Sequence, residues 1–326
     1  MSTAARYIDR GDSPAASGTR AMAPESAPLR VSVIVCTRNR PAHIGACVES
    51  ILANSGDAFE LLVVDQSDDD ETEEALAPFA VDRRFRYLRS ETRGLSMARN
   101  VGIGATSAPL VAFTDDDCRV PDDWVSRVEG VFDDEKAGLV FGSVAVPDDV
   151  PSGGYVPGFE PARREYQHGW PPNDSTWGIG ANMVVRRKVF DELGTFDPML
   201  GAGAKFAGAE ETDLTIRALA AGLKIIHAKE VCVLHLGVRM GDEASKLMRT
   251  YGLALGAAFT KHVRLGTKDS RHLLVSFVVH HIAQGAQNAV FGRRPTGLGF
   301  ALSLLWGVCR SYELRVDRLR HVYAAS

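Results

Sequence analysis

The chain lacks the features that would place it outside a reducing compartment. Its five cysteines, Cys36, Cys47, Cys118, Cys232 and Cys309, are odd in number, widely scattered and never in CxxC spacing. Neither a disulfide framework nor a zinc cluster follows from them, and a cytoplasmic setting fits best. No stretch reaches the roughly 18 apolar residues that a spanning helix requires. The first 28 residues are rich in Ala, Ser, Gly and Pro, with no continuous apolar segment of the kind a secretory signal carries. Residues 1–29 are therefore expected to form a disordered tail. An excess of one charge is missing too: 37 basic against 41 acidic side chains leave −4, which gives no general attraction to nucleic acid. Hydrophobic residues make up 45% of the 326, enough for a sizeable core.

What is present is an alternation of short apolar runs with helical segments. Residues 31–36 read VSVIVC, as a strand buried on both faces should. Pro41 opens a helix to about residue 54. Further strands are expected at 61–64, 85–88, 110–113 and 183–185, with one or two over 224–234. Helices are expected at 95–105, 188–193 and 210–221. Residues 147–172 form a long Pro- and Gly-rich stretch with aromatic anchors, and 197–209 a glycine- and alanine-rich loop expected to be mobile. This order predicts an α/β fold, a Rossmann-like mostly parallel sheet with helices on both faces. Ligands of such sheets bind beyond the C-terminal strand ends, and Thr37, Asp65 and Asp115 all fall there. Asp115-Asp116-Asp117 directly follow an apolar strand. Hard oxygen ligands converging in this way suit Mg²⁺ or Mn²⁺ with a phosphate attached.

In order, the segments VSVIVCTRNR, LLVVDQS, GLSMARNVGI, FTDDDC, WGIGANMVVRR, GAEETDLTIR and VLHLG resemble the family-2 glycosyltransferases over residues 30–237. The resemblance implies a GT-A fold and metal-dependent, inverting transfer of a sugar from a nucleoside diphosphate sugar to a hydroxyl acceptor. The acceptor would be a glycan, a glycolipid or a small metabolite. Asp65 matches the family aspartate that contacts the base, which favours UDP or dTDP, although Gln66-Ser67 departs from the usual Asp-Gly-Ser continuation. Thr37, Arg38 and Arg40 match the segment beside base and ribose. Arg99 matches an arginine that either approaches the diphosphate or holds its helix to the aspartate loop. Asp115 and Asp117 match the ends of the DXD motif: Asp115, with Asp116 close by, would serve ribose or a metal-bound water, and Asp117 would bind the metal (Mn²⁺ or Mg²⁺) with His235 completing its shell. One of Glu210 and Glu211 would be the general base, Glu211 before Glu210, because it stands where the family carries the Asp that normally serves as base. That extra methylene, and Gln66, leave room for a non-catalytic sugar-nucleotide-binding protein acting through its C-terminal helices. A nucleotidyltransferase is disfavoured, because Thr37-Arg38-Asn39-Arg40 is not a glycine-rich phosphate loop.

The catalytic domain is expected over 30–240 and a helical C-terminal region over 241–326, with helices near 243–264, 270–291 and 297–322. Apolar segments at 273–282 and 298–308, with Arg293 and Arg294 between them and Arg315, Arg318 and Arg320 after, fit three readings. They suit a peripheral membrane surface, a homodimer interface or a cap on the catalytic domain.

Overall fold

A computed structural model of the chain describes residues 28–170, 177–291 and 296–324. Residues 1–27 of the expected tail, the end of the aromatic stretch at 171–172 and the pair Arg293 and Arg294 lie outside the described residues.

The first half alternates strands and helices: β1 (Val31–Thr37), α1 (Pro41–Leu52), β2 (Phe59–Asp65), α2 (Glu71–Leu76), β3 (Phe85–Arg89), α3 (Leu95–Gly104), β4 (Leu110–Asp115), β5 (Cys118–Arg119), α4 (Trp124–Gly130) and β6 (Ala137–Ala145). There follow β7 (Gly154–Tyr155), β8 (Glu165–Gln167), β9 (Asn182–Arg186), α5 (Arg187–Leu193), α6 (Glu210–Ala220), β10 (Lys224–His235) and β11 (Arg239–Met240). The chain ends with α7 (Asp242–Leu265), α8 (Ser270–Val290), α9 (Thr296–Tyr312) and a hairpin of β12 (Val316–Asp317) and β13 (Val322–Tyr323).

The main sheet runs β3-β2-β1-β4-β9-β6-β10-β5, with β8 also paired to β10. Successive residues of a strand face opposite sides, and the apolar runs fill two cores accordingly. Val31, Val33 and Val35 pack with α1 and α4, while Ile34 packs with α3, α5 and α6. The α/β fold with helices on both faces is therefore as expected. Strands β3, β2, β1 and β4 are parallel, as are β6 and β10, and antiparallel β9 joins the two sets. In register, Thr37 lies beside Asp65 and Cys36 beside Asp115. One sheet edge thus presents the polar residues that the strand ends carry.

Three expectations change. Strand β6 had no counterpart in the sequence reading, because Gly138, Gly142 and Ser143 dilute its apolar pattern. The last helix stops at Tyr312 rather than 322, since Leu314 and Tyr323 are drawn into a core and the chain pairs as β12–β13. The loop over 197–209 is anchored rather than loose: Leu200, Phe206 and Ala209 are buried against α7.

The C-terminal helices pack on the sheet-bearing part, α7 against α6 and β11. Helices α7 and α9 cross closely enough that a Cβ on Gly256 would lie 2.0 Å from the Leu304 carbonyl oxygen, and one on Gly307 the same distance from that of Leu253. Beneath them lies a fully buried ionic cluster. Lys261 of α7 is 2.7 Å from both Asp197 and Asp213. Arg217 lies 3.0 Å from Asp213, and His262 Nε2 is 2.9 Å from the same carboxylate. Burial pushes His262 below its usual range, so it is neutral near pH 7 and two carboxylates face two cations. The cap reading thus describes how these helices sit. Val275, Val279 and Ile282 on α8 and Leu302 and Trp306 on α9 nonetheless stay exposed. No helix among the described residues is long and apolar enough to cross a membrane.

Lys261→Met leaves two buried carboxylates with one cation. It is expected to destabilise the protein by roughly 3–5 kcal/mol, seen as a lower urea midpoint with an unchanged slope.

Candidate active site

The sheet edge opens into an acidic crevice of about 290 Å³, lined among others by Thr37, Gln66, Asp115, Asp116, Asp117 and His235. Arg38, Arg40 and Arg239 also line it. Arg40 grips two of the aspartates: Nη1 donates to Asp116 at 2.5 Å and Nη2 to Asp117 at 2.7 Å. The Thr37 hydroxyl donates to the other oxygen of Asp116 at 2.7 Å. Burial nevertheless pushes Asp116 up to about 7. Asp117 behaves in the opposite way. Burial opposes its ionisation, but His235 and Arg40 outweigh this and hold the carboxyl far below the usual range.

Asp117 Oδ1 lies 3.3 Å from His235 Nε2. That oxygen and His235 Nδ1 are buried without a hydrogen-bond partner among the described residues. Polar atoms in a dry site need a partner, and a hard divalent cation would meet that need. Cys118 offers a sulfur in the same cluster, with ligand atoms within 4.8 Å of one another. Burial pushes its thiol up, which disfavours the thiolate in the metal-free site. The remaining carboxylate and imidazole suit Mn²⁺ or Mg²⁺ better than a soft metal. Gly237 closes the cradle, since a Cβ there would lie 2.3 Å from Asp117 Oδ2 and 3.2 Å from His235 Cε1.

Two expected donor contacts lie elsewhere. Asp65 is fully buried beneath the crevice. Its Oδ1 accepts from the Ser67 N–H at 2.8 Å and the Ser67 hydroxyl at 2.5 Å, and its Oδ2 accepts from the Tyr87 hydroxyl at 2.8 Å. Its neighbour Gln66 lines the crevice instead. Arg99 is 2% exposed and serves as a brace rather than a crevice wall. It donates to Glu210 at 3.0 Å and to the Gly180 carbonyl at 3.2 Å, and lies 3.6 Å from Asp115. Arg38 is half exposed and paired with Asp68 at 3.2 Å. Arg239, at the crevice, was not foreseen; its only signal is a place four residues beyond His235.

Helix α6 starts abruptly. Ala209 precedes it with φ +64°, a left-handed conformation costly for a residue with a Cβ. Its first two residues then part. Glu210 turns to Arg99, while Glu211 lines a second cavity of about 270 Å³ with Trp177, Ile179, Tyr251, Phe277 and Phe300. Burial, reinforced by the charge of Glu210, pushes Glu211 well above the usual carboxylate range.

The family model described as "Glycosyl transferase family 2" matches residues 32–194, half of the chain. The chain belongs to glycosyl transferase family 2. Family membership makes it a glycosyltransferase, and the relatives agree. Glycosyltransferase AglE of Haloferax volcanii is 27% identical over 223 residues, 67% of this chain and 71% of that protein. Glycosyltransferase GlyA of Streptococcus pneumoniae is 31% identical over 100 residues, 30% of this chain but only 14% of GlyA. Among solved structures, the mannosyltransferase PcManGT of Pyrobaculum calidifontis, in complex with GDP-Man and Mn²⁺, superposes with a TM-score of 0.58 at 17% identity, covering 88% of this chain and 90% of its own. S. aureus TarS 1–349 with UDP-GlcNAc gives 0.53 at 13% identity, covering 89% and 94%. The fold of this family-2 enzyme is thus of the GT-A type.

Gly237→Ala forces a methyl group against Asp117. Mn²⁺-dependent binding of a nucleoside diphosphate, measured by calorimetry, is expected to weaken roughly 10–100-fold, with the metal-free protein still folded.

Proposed function

We propose that the enzyme is metal-dependent and inverting, and moves one sugar from a nucleoside diphosphate sugar to an acceptor hydroxyl. The observation that carries this reading is the Arg99 brace. Through it, Asp115 on the crevice wall and Glu210 at the start of α6 share one cation. The brace ties the start of α6, where Glu211 follows Glu210, to the aspartates of the crevice; in this reading the anomeric carbon lies between the two. In this reading Thr37, Arg38 and Gln66 flank the base and ribose, with Asp65 bracing that wall through Ser67 and Tyr87. Arg40 and Arg239 face the diphosphate. Asp117 and His235 would hold Mn²⁺ or Mg²⁺, which when bound offsets the negative charge gathering on the leaving diphosphate.

Glu211, as carboxylate, takes the proton of the acceptor hydroxyl while that oxygen attacks the anomeric carbon from the face opposite the diphosphate. The bond from carbon to the diphosphate oxygen breaks, and its electron pair leaves with the diphosphate. The anomeric centre inverts. Glu210 stays with Arg99 and acts by position. The uracil or thymine preference expected from Asp65 has no direct contact to rest on, so the base is a matter for experiment.

Nucleoside diphosphate release from UDP-, dTDP- and GDP-sugars, with Mn²⁺ and with EDTA, tests the reading. Release from one donor that is lost with EDTA and in Asp117→Ala supports it; release unchanged by both sinks the metal role. Glu211→Gln is expected to lower turnover about 10²–10⁴-fold while donor binding persists. A base must be ionised, and the pKa of Glu211 is raised. The acid limb of kcat/KM should therefore rise with pH well above the ordinary carboxylate value of about 4. An acid limb at that ordinary value would remove Glu211 from the role.

A further inference from the structure

We infer that the acceptor hydroxyl is borne on a molecule with a hydrophobic aglycone, and that the cavity beside Glu211 binds this apolar part. The inference rests on the assignment of Glu211 as the base and deepens it to a substrate class.

The two compartments differ in the side chains that line them. The crevice is walled by aspartates and arginines. The cavity, apart from Glu211, Thr212 and two tyrosines, is walled by Trp177, Ile179, Leu255, Phe277 and Phe300 with small residues between. No Arg, Lys, His, Asn or Gln lines it among the described residues. A second sugar of a polar glycan would bring several hydroxyls to this place, and a buried hydroxyl without a partner is costly. An apolar group can lie against the rings of Trp177, Phe277 and Phe300 there. Polar side chains there are few: Glu211, Thr212, Tyr155 and Tyr251.

The walls also explain what the C-terminal helices do for catalysis. Tyr251 and Leu255 come from α7, Phe277 from α8 and Phe300 from α9. Phe277 packs edge-on to Trp177, with ring centroids 6.1 Å apart, and Trp170 stacks on the same indole at 6.3 Å. The catalytic sheet supplies the donor crevice, and the helices supply the apolar half of the acceptor site. A volume of about 270 Å³ is ample for a ring with a short chain, given that an apolar cavity of about 150 Å³ accepts benzene.

Methyl, phenyl and octyl β-D-glucopyranosides share one sugar and differ in the aglycone, so their dissociation constants for the full chain test the inference. The octyl compound is used below its micelle concentration, with a nucleoside diphosphate and Mn²⁺ present. Each buried methylene is worth about fourfold. The phenyl or octyl compound should therefore bind at least about tenfold more tightly than the methyl one. An octyl preference points to a lipid-linked acceptor, a phenyl preference to an aromatic glycoside. Phe277→Ala and, separately, Phe300→Ala should erase most of the advantage, while nucleotide binding shows that each variant is folded. Equal affinities, or no binding of any glucoside by protein that binds nucleotide, overturn the inference. So does an advantage that survives both substitutions, which would place the aglycone on the exposed stripes of α8 and α9. Wild-type turnover in Glu211→Gln would refute the base assignment alone and leave these affinities untouched.

Discussion

The candidate active site depends on one buried guanidinium. Arg99 has almost no contact with water, and a charge in a dry place persists only where its partners are fixed. Here they come from three parts of the chain: Asp115 at the end of β4, Glu210 at the start of α6 and the Gly180 carbonyl just before β9. The rings of Phe113 and Phe196 lie 5.4 and 5.5 Å from the guanidinium carbon and exclude solvent from it. Moving any partner would leave charge uncompensated, so the start of α6 is held in a defined place relative to the aspartates. The side-by-side carboxylates Glu210 and Glu211 then acquire different tasks. Neighbouring residues of a helix point about 100° apart; one meets Arg99 and the other is left for the cavity.

Much of the framework was legible because its signals are local. The apolar runs of β1, β2 and β4 end in Thr37, Asp65 and Asp115, and parallel pairing brings those ends to one edge without further information. The Asp117 and His235 pairing was legible through the order of motifs, and the structure brings the two side chains within 3.3 Å. What was not legible depends on burial. Nothing in the LLVVDQS segment tells that Ser67 and Tyr87 occupy both oxygens of Asp65 and shelter it from the crevice. The motif order favoured Glu211 over Glu210, but the physical difference between them lies in Arg99, more than a hundred residues away. Strand β6 was lost among its own glycines, and the end of α9 was drawn into a hairpin by contacts of Leu314 and Tyr323 that no helical period foretells.

The C-terminal helices illustrate a different limit. Their apolar stretches read equally well as membrane, dimer or cap, since hydrophobicity alone does not name its partner. The structure resolves them into two kinds of surface. Phe277, Phe300 and Leu255 face inward to the cavity beside Glu211, while Val275, Val279 and Trp306 stay outside. One helix can thus shape a binding site with one side and remain apolar on another.

The ionic cluster of Asp197, Asp213, Arg217 and Lys261 bears on how this enzyme can change over time. Three of its members belong to the sheet-bearing part and one to α7. A chain cut after residue 240 would keep two carboxylates and one cation in a place now sealed from water. The C-terminal segment therefore cannot be traded between relatives like an interchangeable cassette. A swapped segment must bring a cation to the position of Lys261, so the seam constrains which C-terminal segments this sheet can accept.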